Sequence, residues 1–135
     1  MRLLGLDYGR KRVGMALSDP LGYTAQPLGF VLKDSKVFDQ LIEIIQKNGV
    51  MEIVIGHPRS LSGQLGEMAK EVEAFAAELG TRTGKPVHLW DERFTTSEAE
   101  KFLISADVRR SKRKEVRDQL AAALILQGYM EHLKP

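Results

Sequence analysis

The chain contains no cysteine, which excludes disulfide bridges and thiolate metal sites. It also has no long hydrophobic run, since none approaches the roughly 20 apolar residues that cross a bilayer. The short apolar run at the beginning is interrupted by Asp7, so it does not resemble a signal peptide. From these absences we expect a soluble cytoplasmic protein that makes no contact with a membrane.

Length and composition predict an ordinary globular protein. The chain has 135 residues, of which 43% are hydrophobic and 28% charged, enough apolar material for one well-formed core. There is no internal repeat and no linker of the kind that separates domains. We therefore expect a single domain spanning residues 1–135.

The hydrophobic pattern predicts an α/β fold. Apolar runs indicate strands near residues 3–6, 13–18, 24–32, 51–55 and 87–90. Helical spacing predicts a helix from a Ser35 cap to Asn48-Gly49, and others over residues 67–79, 95–104 and 114–132. Pro27 indicates that the third strand is irregular or lies at an edge. The predicted sheet is mixed and five-stranded, with an antiparallel meander before the parallel strands and helices at its flanks.

Acidic residues follow or interrupt three apolar segments. Asp7 ends the first strand, and Asp91-Glu92 follows the fifth. On a helix, Asp118 would share an apolar face with residues 121, 122 and 125. A buried carboxylate is costly without a cationic partner, and the carboxyl ends of parallel strands meet at one edge. We predict that these acids converge on divalent metal, Mg²⁺ or Mn²⁺, bound as two ions.

Each acid also has a structural interpretation. Asp7 could stabilise the bend that follows it as an Asx turn, and Asp118 could pair with a neighbouring basic residue. Adjacent strand residues point to opposite faces, so we expect only one of Asp91 and Glu92 to reach the metal, and we favour Glu92. A lone histidine in a turn is usually structural, which is our interpretation of His57.

Basic residues cluster near the predicted acids. Arg10-Lys11-Arg12 follows Asp7 closely, and Arg93 follows the second acidic pair. The densest basic segment precedes Asp118 and is predicted to be a mobile loop; it consists of Arg109, Arg110, Lys112, Arg113 and Lys114. Such clusters suit a polyanionic ligand, and we expect them to contact nucleic-acid phosphates. A merely solvated surface is the alternative.

Three motifs in this order resemble the YqgF/RuvX family over nearly the whole chain. They are Leu6-Asp7-Tyr8-Gly9 with Arg12-Val13-Gly14-Met15-Ala16, then Asp91-Glu92-Arg93-Phe94-Thr95-Thr96, and finally Asp118-Gln119-Leu120-Ala121-Ala122-Ala123. The resemblance implies an RNase H-like fold and a metal-dependent nuclease with acidic residues at Asp7, at Asp91 or Glu92 or both, and at Asp118. It further implies Holliday junction resolution or processing of the 5′ end of precursor 16S rRNA. Gly56-His57-Pro58 departs from the Gly-Leu-Pro turn usual in the family.

Two other functions compete with this prediction. Asp7-Tyr8-Gly9 with Arg12 also fits the phosphate-binding turn of ATP-binding proteins of the sugar kinase and actin type. A catalytically silent nucleic-acid-binding module would use the basic residues alone. The nuclease hypothesis predicts structured or single-stranded RNA, or branched DNA, as the partner. It permits a monomer or a homodimer, because paired cuts in a junction favour two active sites.

Overall fold

The structure is a computed structural model that describes residues 2–58, 66–91 and 110–133, with the side chains of residues 110–119 excepted. The strands are β1 Arg2–Tyr8, β2 Arg12–Ser18, β3 Ala25–Leu32, β4 Val50–His57 and β5 Val87–Asp91. The helices are α1 Val37–Asn48, α2 Glu67–Thr83 and α3 Arg110–Leu133. Within the described ranges, no helix is long and apolar enough to cross a membrane.

The five strands form one mixed sheet in the order β3-β2-β1-β4-β5. β1, β2 and β3 pair antiparallel as a meander, whereas β4 pairs parallel to both β1 and β5. The predicted mixed sheet is therefore confirmed. β1 and β4 are central and covered on both faces, which is why they consist of nearly continuous apolar residues.

Helices cover the two faces of the sheet unequally. Leu4 and Leu6 of β1 belong to the hydrophobic core under α1 and α2. Leu3, by contrast, packs with Ala122 and Leu126 of α3 on the opposite face. The predicted inner face of α2 is confirmed, because all five of its members are buried: Ala69, Val72, Phe75, Ala76 and Leu79.

Helix α3 lies directly on the backbone of β1. A Cβ built on Gly5 would be 2.7 Å from Leu126 Cβ and 2.9 Å from the Ala122 carbonyl oxygen. Farther along the helix, Gln127 Oε1 accepts the Ala25 N–H at 3.2 Å, at the beginning of β3. That end of the sheet also holds the beginning of β1, because Ala25 pairs with Ser18 and Ser18 Oγ accepts the Leu3 N–H at 2.7 Å. Helix residues before Ala122 therefore lie toward the carboxyl end of β1.

The third strand is both an edge strand and irregular, as Pro27 predicts. Its register with β2 shifts, since Met15 is opposite Gly29 while Ala16 is opposite Pro27. Leu28 is the extra residue of this bulge. Gly29 has φ 118°, a conformation that residues with side chains rarely adopt.

Two predicted helix boundaries are wrong. Ser35 does not cap α1, which begins after Lys36 without a side-chain cap; instead Asp34 Oδ1 accepts the Lys36 N–H at 2.9 Å. Helix α2 does not end at Gly80 but continues to Thr83, where Gly84 adopts φ 69°. Gly80 lies inside the helix, where a Cβ would make ordinary contact with Val87 Cγ2 at 3.6 Å, so its being glycine does not end the helix.

The basic segment before Asp118 is not the predicted loop. Helix α3 begins at Arg110, so the backbone of Arg110, Lys112, Arg113 and Lys114 is helical. Lysine and arginine are good helix formers, and neither glycine nor proline interrupts this stretch. Arg109 and the helix predicted over residues 95–104 lie outside the described residues.

Because α3 leaves no room above Gly5, Gly5→Ala should destabilise the fold. Overpacking at such a contact costs about 1–3 kcal/mol, and urea unfolding would measure the change. Gly80→Ala is the matched control. It adds the same methyl group in ordinary contact inside a helix, where alanine should be more favourable than glycine by up to about 1 kcal/mol. Equal unfolding midpoints for Gly5→Ala and the unsubstituted protein would contradict this account of the packing of α3.

Candidate active site

Three parallel strands end at the same side of the sheet, and two predicted site residues, Asp7 and Asp91, lie at these strand ends. Leu6 is opposite Ile55, and His57 is opposite Asp91. Asp7 therefore lies one residue beyond the last pair of β1 and β4, next to Gly56. This arrangement confirms the prediction that the end of each parallel strand reaches the same edge.

Asp7 lies on the face of the sheet that carries α3. Side chains alternate along β1: Leu4 and Leu6 belong to the core under α1 and α2, while Leu3 packs against α3. By this alternation Asp7 shares the α3 face with Gly5. Its side chain is partly buried, and its neighbour on β2 is Gly14. The carboxylate thus stands at the end of the central strand, on the side from which α3 approaches.

Asp91 lies on the opposite face. In β5, Val87 packs on the core under α1 and α2, whereas His88 and Trp90 contact Tyr129 of α3 with ring centroids 5.2 and 6.0 Å apart. Alternation then places Asp91 on the α2 face, where its side chain is exposed. Asp7 and Asp91 are therefore at the same edge but do not share a face.

His57 belongs to the α2 face as well. It is only 4% exposed, and its Nε2 is 3.2 Å from Glu73 Oε1 of α2. Burial and this contact fit the structural role predicted for His57. The sequence alone could not identify Glu73 as its partner, because the two residues belong to different elements and no motif links them.

Trp90 anchors the end of β5 to α3. Its indole lies against Gly128, where an added Cβ would be 3.1 Å from Nε1, and its ring centroid is 5.2 Å from that of His132. The ring of Tyr129 meets that of Trp90 edge to face. Its partial burial, together with the nearby Glu52 carboxylate, raises the pKa of the Tyr129 phenol. Strand β5, which ends at Asp91, is thereby held against α3, the helix that contains Asp118.

The β1–β2 turn carries the first basic cluster beside Asp7. The Gly9 N–H donates to the Arg12 carbonyl oxygen at 2.9 Å, and a Cβ on Gly9 would be 2.7 Å from that oxygen. Arg10 and Lys11 are exposed at the tip, and Arg12 is partly buried on the α3 face. The tight turn holds these cations next to the carboxyl end of β1.

Lys33 is a neighbouring cation that sequence reasoning did not identify. Its Nζ donates to the Gly9 carbonyl oxygen at 3.0 Å and lies 4.1 Å from the centre of the Tyr8 ring. Tyr8 itself packs on Phe75 with ring centroids 4.9 Å apart. Lys33 and Arg10 line a cleft of about 440 Å³ with Glu67, Met68 and Glu71. Lys33 belongs to no basic cluster in the sequence, so only the pairing of β3 with the turn shows that it lies in this region.

The remaining predicted site residues are described only in part. Asp118 lies in α3, one helical turn before Ala122, but its side chain is outside the described set, as are those of Arg110, Lys112, Arg113 and Lys114. Glu92 and Arg93 fall wholly outside the described residues. Among the side chains that are described, no group of three histidine or acidic residues could hold a metal ion.

Comparisons with known proteins place this fold and these motifs in a family. A family model described as "RuvX: Holliday junction resolvase" matches residues 1–132. A protein of Lachnospira eligens named "Putative pre-16S rRNA nuclease" is 50% identical over 136 residues, covering 97% of each chain. A protein of the same name from Carboxydothermus hydrogenoformans is 51% identical, covering 98% of this chain and 97% of its own.

Two of the solved structures that match this fold are Holliday junction resolvases. RuvC of Thermus thermophilus, in complex with a Holliday junction substrate, matches with a TM-score of 0.63 and 14% identity over 100% of this chain and 99% of its own. The resolvase of fowlpox virus matches with a TM-score of 0.62 and 12% identity, covering 99% and 100%. At these identities the likeness shows the fold alone, and it confirms the predicted RNase H-like fold. Together with the family model and the curated relatives, these findings show that the chain belongs to the RuvX family of nucleases.

Proposed function

We propose that this protein is a metal-dependent nuclease whose active site forms on the α3 face, at the carboxyl end of β1. The observation that carries the proposal is the partly buried Asp7 carboxylate at that position. An acid at the carboxyl end of a central strand, on the face that α3 approaches, lies where open α/β sheets place their sites. Carboxylate oxygens are the ligands that Mg²⁺ and Mn²⁺ prefer.

The path of α3 supports Asp118 as a second ligand of the same site. The helix crosses β1 at Gly5 through Ala122 and Leu126, and residues before Ala122 lie toward the Asp7 end of the strand. One helical turn is about 5.4 Å, and two residues of strand, from Gly5 to Asp7, span about 6.6 Å. The distance along α3 from Ala122 to Asp118 is therefore nearly the distance along β1 from Gly5 to Asp7. Because Ala122 lies over Gly5, the backbone of Asp118 lies near Asp7.

The alternation of β5 supports Glu92 over Asp91 as the third ligand. Asp91 shares the α2 face with His57 and Glu73, on the other side of the sheet from Asp7. It suits a structural role at the end of β5 better than a place in a site shared with Asp7. We therefore assign metal binding to Asp7, Glu92 and Asp118, and catalysis to the same three acids.

In this mechanism the protein supplies ligands and positions the substrate. Two bound Mg²⁺ or Mn²⁺ ions would supply an activated water and stabilise the leaving oxygen. The acids hold those ions, so no protein nucleophile is needed. Arg10, Lys11 and Arg12, on the turn beside Asp7, orient the scissile strand through its phosphates. Arg93 and the basic start of α3, with Arg109, Arg110, Lys112, Arg113 and Lys114, extend the phosphate contacts.

The substrate we propose is the 5′ region of precursor 16S rRNA, in the cytoplasm. Curated relatives that share about half of this sequence are named "Putative pre-16S rRNA nuclease". Branched DNA is the second candidate, favoured by the family description and by the RuvC fold. A monomer suffices for RNA processing, whereas symmetric cuts in a junction require two active sites, so a homodimer belongs with the DNA substrate.

One assay separates these substrates from each other and from the competing functions. Purified protein would be incubated with a precursor rRNA fragment and with a four-way DNA junction, each with Mg²⁺, Mn²⁺ or chelator. Metal-dependent cleavage of the rRNA alone supports the first substrate, and paired cuts in the junction support the second. Tight ATP binding without cleavage would instead favour the sugar kinase type of function, and binding without cleavage under any metal would favour a silent binding module.

Replacing Asp7 or Asp118 with asparagine should abolish most cleavage while the fold is retained. Removal of a ligand should lower turnover by more than roughly 100-fold, since even the outer partners of metal ligands contribute about 10- to 100-fold. Clustered carboxylates repel one another without metal, so either variant should be at least as stable as the original in chelator. Metal should then raise the melting temperature of the original protein only. Glu43→Gln, an exposed change on α1, is the control, and normal turnover in a folded Asp7→Asn variant would exclude the assignment.

The two acids of the β5 motif should respond differently to the same isosteric change. Glu92→Gln should reduce Mg²⁺-dependent cleavage to the same degree as Asp7→Asn, because each removes a charged ligand. Asp91→Asn should keep most turnover, since Asp91 lies on the α2 face. Single-turnover rates with saturating metal would measure both. A greater reduction in Asp91→Asn than in Glu92→Gln would reverse the assignment.

The basic start of α3 should determine the salt dependence of nucleic-acid binding. Replacing Arg109, Arg110 and Lys112 with alanine should weaken binding, and the slope of log affinity against log salt should fall by roughly 0.7–0.9 for every phosphate that is no longer bound. The effect should be similar for different sequences, because phosphate contacts carry no base information. A triple control removes the same charge from the α1 and α2 side: Lys36, Lys47 and Lys70 to alanine. An unchanged slope in the first variant would mean that this segment is a solvated surface.

A further inference from the structure

We propose that Phe30, with Arg12 stacked beside it, is a platform that binds one unpaired base of the nucleic-acid substrate next to Asp7. The inference rests on the proposed nuclease function and describes how the proposed active site would recognise its substrate. It assigns a binding role to Phe30, which lies outside the three acidic motifs.

Phe30 lies in the same cross-strand row as Asp7. Gly14 of β2 is opposite Asp7 on one side and opposite Phe30 on the other. Neighbouring strands are about 4.8 Å apart, so the Cα atoms of Asp7 and Phe30 are separated by roughly 10 Å. The neighbouring pair, Val13 and Val31, belongs to the core under α1 and α2, which places the Phe30 side chain on the α3 face with Asp7.

Phe30 is an exposed aromatic residue within a strand. It is 40% exposed, and the Arg12 guanidinium carbon lies 4.9 Å from the ring centre. Helix α3 covers the other end of β3, where Gln127 bonds to Ala25. The bulge at Leu28 and Gly29 lies between these two ends, and bulges of this kind redirect side chains beside active sites.

The charge beside Phe30 is positive toward the β1–β2 turn, whereas the cleft that it lines with α1 contains the oppositely charged Glu43 and Lys47. Arg12 borders the ring, and Arg10 and Lys11 extend the positive charge along the adjoining turn. An aromatic face beside arginine is the combination on which bases stack, while the cation attracts the neighbouring phosphate. Both planar groups are already in contact with one another, so binding a base requires little further ordering of these side chains.

The position of the platform restricts the substrate. Successive nucleotides in a helical strand advance about 3.4 Å, so a base on Phe30 belongs within about three nucleotides of the phosphate at Asp7. The faces of a base inside a continuous duplex are covered by its neighbours and cannot stack on a side chain. The preferred substrate therefore has an unpaired nucleotide close to the cleaved bond, whether that bond lies in RNA or at a DNA branch.

The test is a fluorescence measurement in chelator, so that binding is observed without cleavage. Single-stranded RNA oligonucleotides carry one 2-aminopurine, moved one position at a time along the strand, because the fluorescence of this base falls when it stacks. The original protein should quench the probe at one or two neighbouring positions, and Phe30→Ala should remove the quenching. Phe30→Ala should also weaken binding roughly 5- to 150-fold, the value of one base–aromatic stack. Affinity for a blunt duplex of the same sequence should be unchanged.

Three further variants complete the experiment. Phe30→Tyr should retain quenching, whereas Phe30→Leu should not. Because Phe30→Leu keeps an apolar side chain, its loss of quenching would not be due to a folding defect. Leu21→Ala is the matched control, because Leu21 is 77% exposed at the opposite end of the β2–β3 pair. Equal quenching by the original protein and Phe30→Ala would overturn the proposal. A change of oligomeric state in Phe30→Ala would also overturn it, because the ring would then belong to an interface between copies of the chain.

The outcome is separable from that of the proposed nuclease function. Suppose that metal-dependent cleavage requires Asp7 but Phe30→Ala binds the strand and quenches 2-aminopurine as before. The nuclease function is then supported and the base-binding role of Phe30 is excluded. If quenching depends on Phe30 but no substrate is cleaved with either metal, the platform stands and the nuclease assignment falls.

Discussion

The arrangement of the molecule depends on the direct packing of α3 on the backbone of β1 at Gly5. No side chain separates the two elements there, since any Cβ would overlap Leu126 and the Ala122 carbonyl oxygen. Three successive alanines, residues 121–123, keep the helix close as well. A second close approach, Trp90 against Gly128, holds the end of β5 to the same helix. Small residues on both elements thus determine how near a helical carboxylate can come to the carboxyl end of the central strand.

Side chains alternate between the two faces of the sheet along each parallel strand. At the carboxyl ends of these strands the two faces are therefore chemically different. The α2 face carries His57, Glu73 and Asp91, a buried histidine in contact with a carboxylate beside the end of β5. The α3 face carries Asp7 and the Arg12–Phe30 pair. Residues that are adjacent in sequence therefore have different roles, because a shift of one position moves a side chain from one face to the other.

Sequence predicted those features that arise from periodicity and local chemistry. The five strands, the inner face of α2 and the meeting of strand ends at one edge follow from apolar spacing, and the structure has them. The Ser35 cap was wrong because the Asp34 carboxylate offers the backbone an alternative acceptor. The helix end expected at Gly80 is wrong because Gly84, in the left-handed conformation at φ 69°, ends the helix instead. The His57–Glu73 and Arg12–Phe30 pairs escaped prediction because each joins residues that only strand pairing or helix docking brings together.

The proposed site would have to reconcile carboxylates with a polyanionic substrate, and the charges of the described residues are arranged to allow this. Acids that bind divalent metal repel phosphates until the metal neutralises them, while basic side chains attract phosphates whether or not metal is present. Here the cations lie on a turn that backbone hydrogen bonds from Gly9 and Lys33 hold in place, so their position does not depend on metal. Substrate binding and bond cleavage are thus assigned to different side chains on one face. In the proposed platform, Phe30 would add a stacking contact that needs no metal, so a base as well as the phosphates would position the strand.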